Sequence, residues 1–165
     1  MASGDTLQIF YAWNGSSPYS LVEMIFSTVN SATSGECFPV AVKKISNNSY
    51  LDFVGVMPDY YSGGGVTCTV IWSYNTTSAS SPLWYASFRA MPDDVEDLDL
   101  NHSYSYNSVS AGIPSVVGEI GYDNITFTDG ADMDNLAAGE LFNFRIYSFV
   151  ATHVMKLLAI HVKET

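Results

Sequence analysis

The sequence predicts an all-β protein, an antiparallel β-sandwich with one or two short helical turns. Apolar and polar residues alternate along most of the chain, turn-forming residues separate these runs at short intervals, and no long helical pattern occurs. A period of two is typical of half-buried strands, and about eight such short strands with turns between them are typical of two packed sheets. We expect residues 1–165 to form a single domain, since no repeat or shift of composition marks a second.

The clearest strand is VTCTVIWSY, which begins at Val66. Its even positions are apolar and its odd positions mostly carry hydroxyls, so one face should be buried. The buried face should carry Val66, Cys68, Val70, Trp72 and Tyr74. The same alternation in LFNFRIYS places Phe144 in the core, and we expect Trp72 and Phe144 to lie between the two sheets.

Other alternating runs predict further strands and their buried faces. These faces are Leu7, Ile9, Tyr11 and Trp13 in LQIFYAW; Val40 and Val42 in PVAVK; Trp84, Ala86, Phe88 and Ala90 in WYASFRA; Tyr104 and Tyr106 in HSYSYNS; and Leu158, Ile160 and Val162 in LLAIHV. In VVGEIGYDNITFTDG the apolar positions change from even to odd. This change predicts a bulge or bend near Asp123 and Asn124.

Two stretches carry weak helical signals. SLVEMIFSTVN, residues 20–30, has a loose helical spacing, although its β-branched residues disfavour a helix. DMDNLAAGE offers Asp132 as an N-cap and Gly139 as a C-terminal stop, which predicts one or two turns.

Three consecutive glycines, Gly63 to Gly65, precede the VTCTVIWSY strand. A phosphate-binding loop requires G-x-x-x-x-G-K-[ST] followed by a helix. Here no lysine follows and the next residues predict a strand. The triplet therefore predicts a turn or bulge at which a Cβ is not tolerated.

The charge balance excludes several partners. The formal net charge is -11 and the chain contains only six Lys and Arg residues, so nucleic acid and anionic membranes are not expected ligands. Only 14% of residues are charged, against about 25% in average domains. A surface poor in charge and rich in tyrosine suits contact with other subunits, so we expect a closed homo-oligomer.

The N-terminus has no signal-peptide pattern, and no apolar run approaches the roughly 20 residues of a membrane span. We therefore expect synthesis in cytoplasm, where Cys37 and Cys68 would stay reduced and act as small buried apolar residues.

No catalytic, cofactor-binding or metal-binding residue is predicted. His102, His153 and His161 are scattered, and neither zinc-ligand spacing nor a G-x-S-x-G nucleophile motif occurs. Two acidic loops, 93–99 and 129–134, offer oxygen ligands that calcium prefers, but they lack the pattern of an EF-hand. They are interpreted either as calcium sites or as solvated acidic loops. Their acidic residues are Asp93, Asp94, Glu96, Asp97, Asp99, Asp129, Asp132 and Asp134.

Several longer segments resemble a family of small structural proteins encoded by tailed bacteriophages and related prophages. They are GVMPDYYSGGGVTCTVIW, WYASFRAM with the acidic DDVEDLDL after it, ITFTDGADMDNLAAGELFNFRI and LLAIHVKET. The resemblance covers roughly the last two thirds of the chain and LQIF near its start, whereas residues 15–50 match poorly. The family's polar or basic residues after GVMP are replaced here by Asp59, Tyr60 and Tyr61.

The resemblance implies a non-enzymatic virion component with a jelly-roll-like sandwich. We expect a capsid cement or decoration protein that binds the major capsid protein on the capsid exterior after synthesis in the host cytoplasm. The alternative is a tail, baseplate or fibre component that contacts host-surface carbohydrate. The resemblance also implies a homotrimer. Residues 1–6 are expected to form a flexible N-terminal arm, and residues 15–50 are candidates for arms that reach neighbouring subunits.

Overall fold

The computed structural model describes residues 4–16, 22–28, 37–45, 49–74, 81–113, 115, 118–149 and 155–165. These residues form ten strands and two single-turn 3-10 helices, Ala12–Asn14 and Ala131–Met133. The strands are β1 Thr6–Tyr11, β2 Val22–Thr28, β3 Cys37–Ile45, β4 Tyr50–Val56, β5 Val66–Tyr74, β6 Leu83–Met91, β7 Asn107–Ser110, β8 Ile120–Phe127, β9 Leu141–Phe149 and β10 Met155–Glu164.

The strands form two antiparallel sheets, which confirms the predicted sandwich. The six-stranded sheet has the order β2-β3-β10-β5-β8, with β1 also paired to β10. The four-stranded sheet has the order β4-β9-β6-β7. β10 is central to the larger sheet, since it pairs with β5 along its length on one side and with β3 and then β1 on the other. No helix among the described residues is long and apolar enough to cross a membrane.

The core lies between the sheets and is largely aromatic. Trp72 and Phe144 are both fully buried, as predicted. Phe88 lies edge-on to Phe144, with ring centroids 5.0 Å apart. The Trp72 indole N–H also donates a hydrogen bond of 2.6 Å to an Asp123 carboxylate oxygen. The indole therefore fills apolar space without leaving its polar atom unpaired.

The bulge predicted near Asp123 and Asn124 is absent, because β8 pairs with β5 in unbroken register from Ile120 to Phe127. The inward positions in the first half of β8 are Gly121 and Asp123. Gly121 leaves space for the Trp72 indole, and Asp123 accepts its N–H. A Cβ at Gly121 would lie 2.7 Å from the indole nitrogen, so only glycine fits there. The apolar Ile120 is consequently outward, with half of its surface exposed.

The irregularities occur instead in β1 and β10, where the register shifts between Thr6 and Gln8 and between Leu157 and Ala159. One extra residue reverses the faces beyond it. In β1 the shift buries Leu7 and Phe10, so the predicted buried face was wrong for Ile9, Tyr11 and Trp13, which are exposed. In β10 the buried apolar residues are Met155, Leu157, Ile160 and Val162, and the predicted burial of Leu158 was wrong, because Leu158 lies at the bulge.

The helical prediction for residues 20–30 was wrong. Val22–Thr28 is strand β2, which pairs with β3 at seven consecutive positions. β-branched residues fit a pleated sheet, and cross-strand pairing outweighs the loose helical spacing. Of the second predicted helical stretch, only Ala131–Met133 forms a helical turn, which is of the 3-10 type. Its N-cap residue is Gly130, and not Asp132 as was predicted.

The glycine triplet forms the turn that leads into β5. Gly63 and Gly65 both have φ of +83°, which favours glycine. A Cβ at Gly65 would collide with the carbonyl oxygen of Phe127. This confirms the turn prediction made for the triplet.

The structure places part of the expected flexible segments in strands. Thr6 begins β1, and the Asp5 carbonyl accepts a backbone hydrogen bond from Glu164 at 3.0 Å. Within residues 15–50, β2 and β3 belong to the six-stranded sheet. Residues 1–3, 17–21, 29–36 and 46–48 lie outside the described residues.

Candidate functional site

The outer surface of strands β8, β5, β10 and β1 forms a broad face, which we call the open face. The strand register aligns four of its residues in one apolar row across the sheet. The row consists of Tyr122, Ile71, Ala159 and Tyr11. Neighbouring strands lie about 4.8 Å apart, so the row is about 14 Å long.

Three aromatic side chains of the open face are well exposed. Tyr122 is 65% exposed at the β8 edge of the sheet, while Tyr11 and Trp13 are 43% and 49% exposed at the β1 side. Tyr11 and Trp13 stack on each other, with centroids 4.5 Å apart and an interplanar angle of 8°. The pair therefore forms a preorganised aromatic surface beside the sheet.

Polar side chains form a second row next to the apolar one. Thr69 donates its hydroxyl to the Asn124 side-chain oxygen at 2.7 Å, and His161 Nε2 lies 2.8 Å from the Thr6 hydroxyl. Burial and the nearby Lys163 lower the pKa of His161, so the imidazole is uncharged at neutral pH. Hydroxyl, amide and imidazole groups can each donate or accept further hydrogen bonds.

The outer side of the four-stranded sheet carries a second aromatic cluster, which we call the tyrosine face. Tyr50, Tyr147 and Tyr85 align in one row across three strands. Tyr85 and Tyr147 stack with centroids 4.8 Å apart, and Tyr106 packs edge-on against Tyr147 at 5.1 Å. These rings contact one another, so much of their flat surface is already covered.

Residues 92–106 fold against the tyrosine face through both arginines of the chain. The Arg145 guanidinium lies 4.1 Å from the ring centroids of both Tyr50 and Tyr104. Arg145 also donates two hydrogen bonds to the Asp52 carboxylate, at 2.8 and 3.0 Å. Tyr104 therefore belongs to this covering segment, and the predicted strand at Tyr104 and Tyr106 was wrong, because β7 begins at Asn107.

Arg89 fixes the same segment at a second point. Its Nε donates to Glu96 at 2.6 Å and its Nη2 donates to the Asp97 carbonyl at 3.1 Å. Both arginines are thus neutralised by carboxylates of the chain itself. The tyrosine face is a packed structural surface rather than an open one.

Five of the eight acidic residues of loops 93–99 and 129–134 accept hydrogen bonds within the fold, namely Glu96, Asp97, Asp129, Asp132 and Asp134. Glu96 pairs with Arg89, Asp129 accepts the Tyr61 hydroxyl at 2.8 Å, and Asp134 accepts the Ala90 amide at 3.0 Å. Among the described residues, no three His, Cys, Asp or Glu side chains are grouped as metal ligands would be.

The remaining sequence candidates are dispersed. His102 lies 3.4 Å from Asp134 on the four-stranded side, whereas His161 lies on the open face and His153 is outside the described residues. Cys68 is a free, buried cysteine whose thiol pKa is raised by burial. Thr6 and His161 form a hydroxyl–imidazole pair, but no carboxylate of the described residues is hydrogen-bonded to that imidazole, as a hydrolase triad would require.

Sequence reasoning named no binding residue, and it missed the open face. The polar side of VTCTVIWSY, with Thr67, Thr69 and Ile71, was recognised as an outward face. Its neighbours could not be assigned, because Tyr11 and Tyr122 reach it through pairings between distant strands.

The fold and the open face together define an antiparallel β-sandwich with an exposed amphipathic surface on its larger sheet. No family model matches the chain, and no curated protein matches it. Among solved structures, it is similar to the CBM22-1 xylan-binding domain of Xyn10C from Paenibacillus barcinonensis, with a TM-score of 0.54 and 10% identity over 99% of this chain and 96% of that chain. At that identity the likeness shows the fold alone.

A weaker likeness is to the C-terminal CBM6 of the laminarinase LamC from Zobellia galactanivorans. Its TM-score is 0.46 at 13% identity, over 94% of this chain and 98% of that chain.

Proposed function

We propose that this protein is a non-catalytic carbohydrate-binding module that holds a saccharide chain on the open face. The observation that carries the proposal is the pairing of exposed aromatic rings, Tyr11, Trp13 and Tyr122, with a parallel row of hydrogen-bonding groups. Sugar rings present apolar C–H surfaces and many hydroxyls. Aromatic faces pack against the former, and threonine, asparagine and histidine side chains bind the latter.

The shape of the open face supports a chain ligand rather than a single sugar. The aromatic groups stand at opposite ends of a row about 14 Å long, so one ligand must extend across four strands to contact both. The face is built on strands, which position side chains more rigidly than loops do. A rigid surface loses little conformational entropy on binding.

The fold likeness to a xylan-binding domain supports this reading more than it supports capsid cement, the function expected first from the sequence. Together with the resemblance to phage structural proteins, it favours the alternative. We propose a tail, baseplate or fibre component of the virion that contacts host-surface carbohydrate. Particles lacking the protein should then package DNA and resist heat normally but adsorb poorly to cells. Heads that lose DNA on heating would instead support capsid cement.

Isothermal titration with a panel of neutral and charged oligosaccharides tests the binding function. Tyr122→Ala and Trp13→Ala should each weaken binding roughly five- to tenfold, since each removes an aromatic contact of about 1 kcal/mol. Tyr106→Ala is the matched control, because Tyr106 is 37% exposed on the tyrosine face. Binding that is unchanged by the first two substitutions and lost in the control would overturn the assignment to the open face.

A further inference from the structure

We infer that the ligand of the open face is an anionic polysaccharide, an inference that rests on the proposed function. Its basis is the distribution of charge over the sheet. The chain contains 17 Asp and Glu residues, yet the outward positions of β8, β5, β10 and β1 contain none. Such an exclusion removes the groups that would repel an anion at this surface.

The two acidic residues of these four strands point into the protein. Asp123 of β8 accepts the Trp72 indole N–H. Glu164 of β10 is only 3% exposed and accepts hydrogen bonds from the amide and hydroxyl of Ser62. Both carboxylates therefore serve the fold, and neither contributes charge to the open face.

The open face does carry cations. Lys156 and Lys163 occupy outward positions of β10, opposite Ser73 and Thr67 of β5. Neither lysine forms a salt bridge with any described residue, whereas both arginines on the other sheet are paired with carboxylates. Among the residues whose side chains are described, the two lysines without a carboxylate partner thus lie on the open face, on either side of the row that contains Tyr11 and Tyr122.

The spacing of the lysines favours a polymer over a small anion. The partners of Lys156 and Lys163 on β5 are Ser73 and Thr67, which are six positions apart, so the two lysines are separated by about 20 Å along the strand. A chain with repeated negative groups can contact both ends of the face, whereas one small anion cannot. Carboxylates on the outer side of the opposite sheet repel such a ligand only weakly. The two sheets lie about 10 Å apart, and at physiological salt the electrostatic screening length is about 8 Å.

Titration calorimetry at 0.15 M salt tests the inference with three probes of equal length: a polygalacturonate oligosaccharide, a heparin oligosaccharide and a neutral xylo-oligosaccharide. We expect at least one of the anionic probes to bind about tenfold more tightly than the neutral one, since two exposed charge contacts supply about this factor. The tighter of the two identifies carboxylate or sulfate as the preferred group. The double variant Lys156→Gln/Lys163→Gln should lose this advantage, while Lys156→Arg/Lys163→Arg should keep most of it.

Equal affinity of the three probes, with no effect of the glutamine variant, would overturn the anionic preference and leave the proposed function intact. Absence of binding of every oligosaccharide to the unmodified protein would overturn both. Light scattering on the same samples provides a further check. Self-association that the glutamine variant abolishes would show that the lysines serve contacts between copies of this protein, and the inference would be wrong.

Discussion

Asp132 accepts hydrogen bonds from two segments that are distant in the chain. One carboxylate oxygen accepts the Thr128 amide at 2.9 Å, the Thr128 hydroxyl at 3.1 Å and the Asn107 side-chain amide at 2.9 Å. These bonds tie the turn after β8 to the start of β7. Burial alone would raise the pKa of Asp132, but the three bonds outweigh it and hold the pKa below its ordinary value of 3.8.

Asp132→Asn should therefore lower the free energy of unfolding by about 1–3 kcal/mol at neutral pH, since it removes charged acceptors. A carboxyl whose pKa is depressed in the folded state stabilises the protein above its unfolded pKa, and this contribution is lost as the pH falls through the folded value. The difference between the two proteins should thus shrink below about pH 4. Urea unfolding of both proteins at several pH values measures this difference in the free energy of unfolding.

Asp93→Asn is the matched control, because Asp93 is exposed and no hydrogen bond of its side chain is seen among the described residues. Its stability should stay within about 0.5 kcal/mol of the unmodified protein at each pH. An equal loss of stability in the two variants would mean that the removal of one negative charge, and not the loss of the hydrogen bonds of Asp132, causes the change.

At the scale of the element, β9 has one fully buried face in the middle of the four-stranded sheet. Phe144→Ala should cost about 3–5 kcal/mol, because it removes a ring from a packed core and leaves a cavity. Phe149, on the same strand, is 50% exposed, so Phe149→Ala should cost less than about 1 kcal/mol. Chemical denaturation of the two variants compares the same substitution at a buried and an exposed position. Similar losses of unfolding free energy in the two variants would show that Phe144 is not buried and Phe149 exposed as the structure has them.

Strands were largely predictable and their irregularities were not. The apolar faces of β5, β6 and β9 follow simple alternation, because the pairings of β5 with β8, of β6 with β7 and β9, and of β9 with β4 have no shift of register, and the bulge opposite β5 lies in β10 itself. A bulge depends on which strand pairs opposite, and that partner can be distant in the chain. Thr6 pairs with Lys163, so nothing local to LQIF could have shown that Phe10 replaces Ile9 in the core.

The same limit applied to the candidate site. Its aromatic groups are single residues in three separate runs, and each run by itself resembles an ordinary amphipathic strand. In the sequence, Tyr122 falls among the even apolar positions of its run, whereas Gly121 and Asp123, which point inward, resemble outward residues. Only the position of Trp72 explains why small and polar residues point inward there.

The outer side of the four-stranded sheet offers a surface for the homotrimer that we propose. Val54, Val56 and Leu141 are 63%, 52% and 41% exposed on the outer side of the four-stranded sheet. Exposed aliphatic residues on a chain with few charges favour association. Light scattering at micromolar concentration should give three times the chain mass of 18.0 kDa. Val54→Glu/Val56→Glu should give one chain mass, and a monomer already in the unmodified protein would contradict the proposal.

The central position of β10 has a consequence for how the protein forms in the cell. β10 follows the nine other strands in the chain, yet β1, β3 and β5 all pair with it. The ribosome adds about 5–20 residues per second, so β1 emerges several seconds before its partner. The larger sheet therefore cannot close until β10 has been synthesised, and its contacts of high sequence separation imply slow folding. Until then the backbone N–H and C=O groups of β1 and β5 that pair with β10 are unpaired and accessible to chaperones and to other nascent chains.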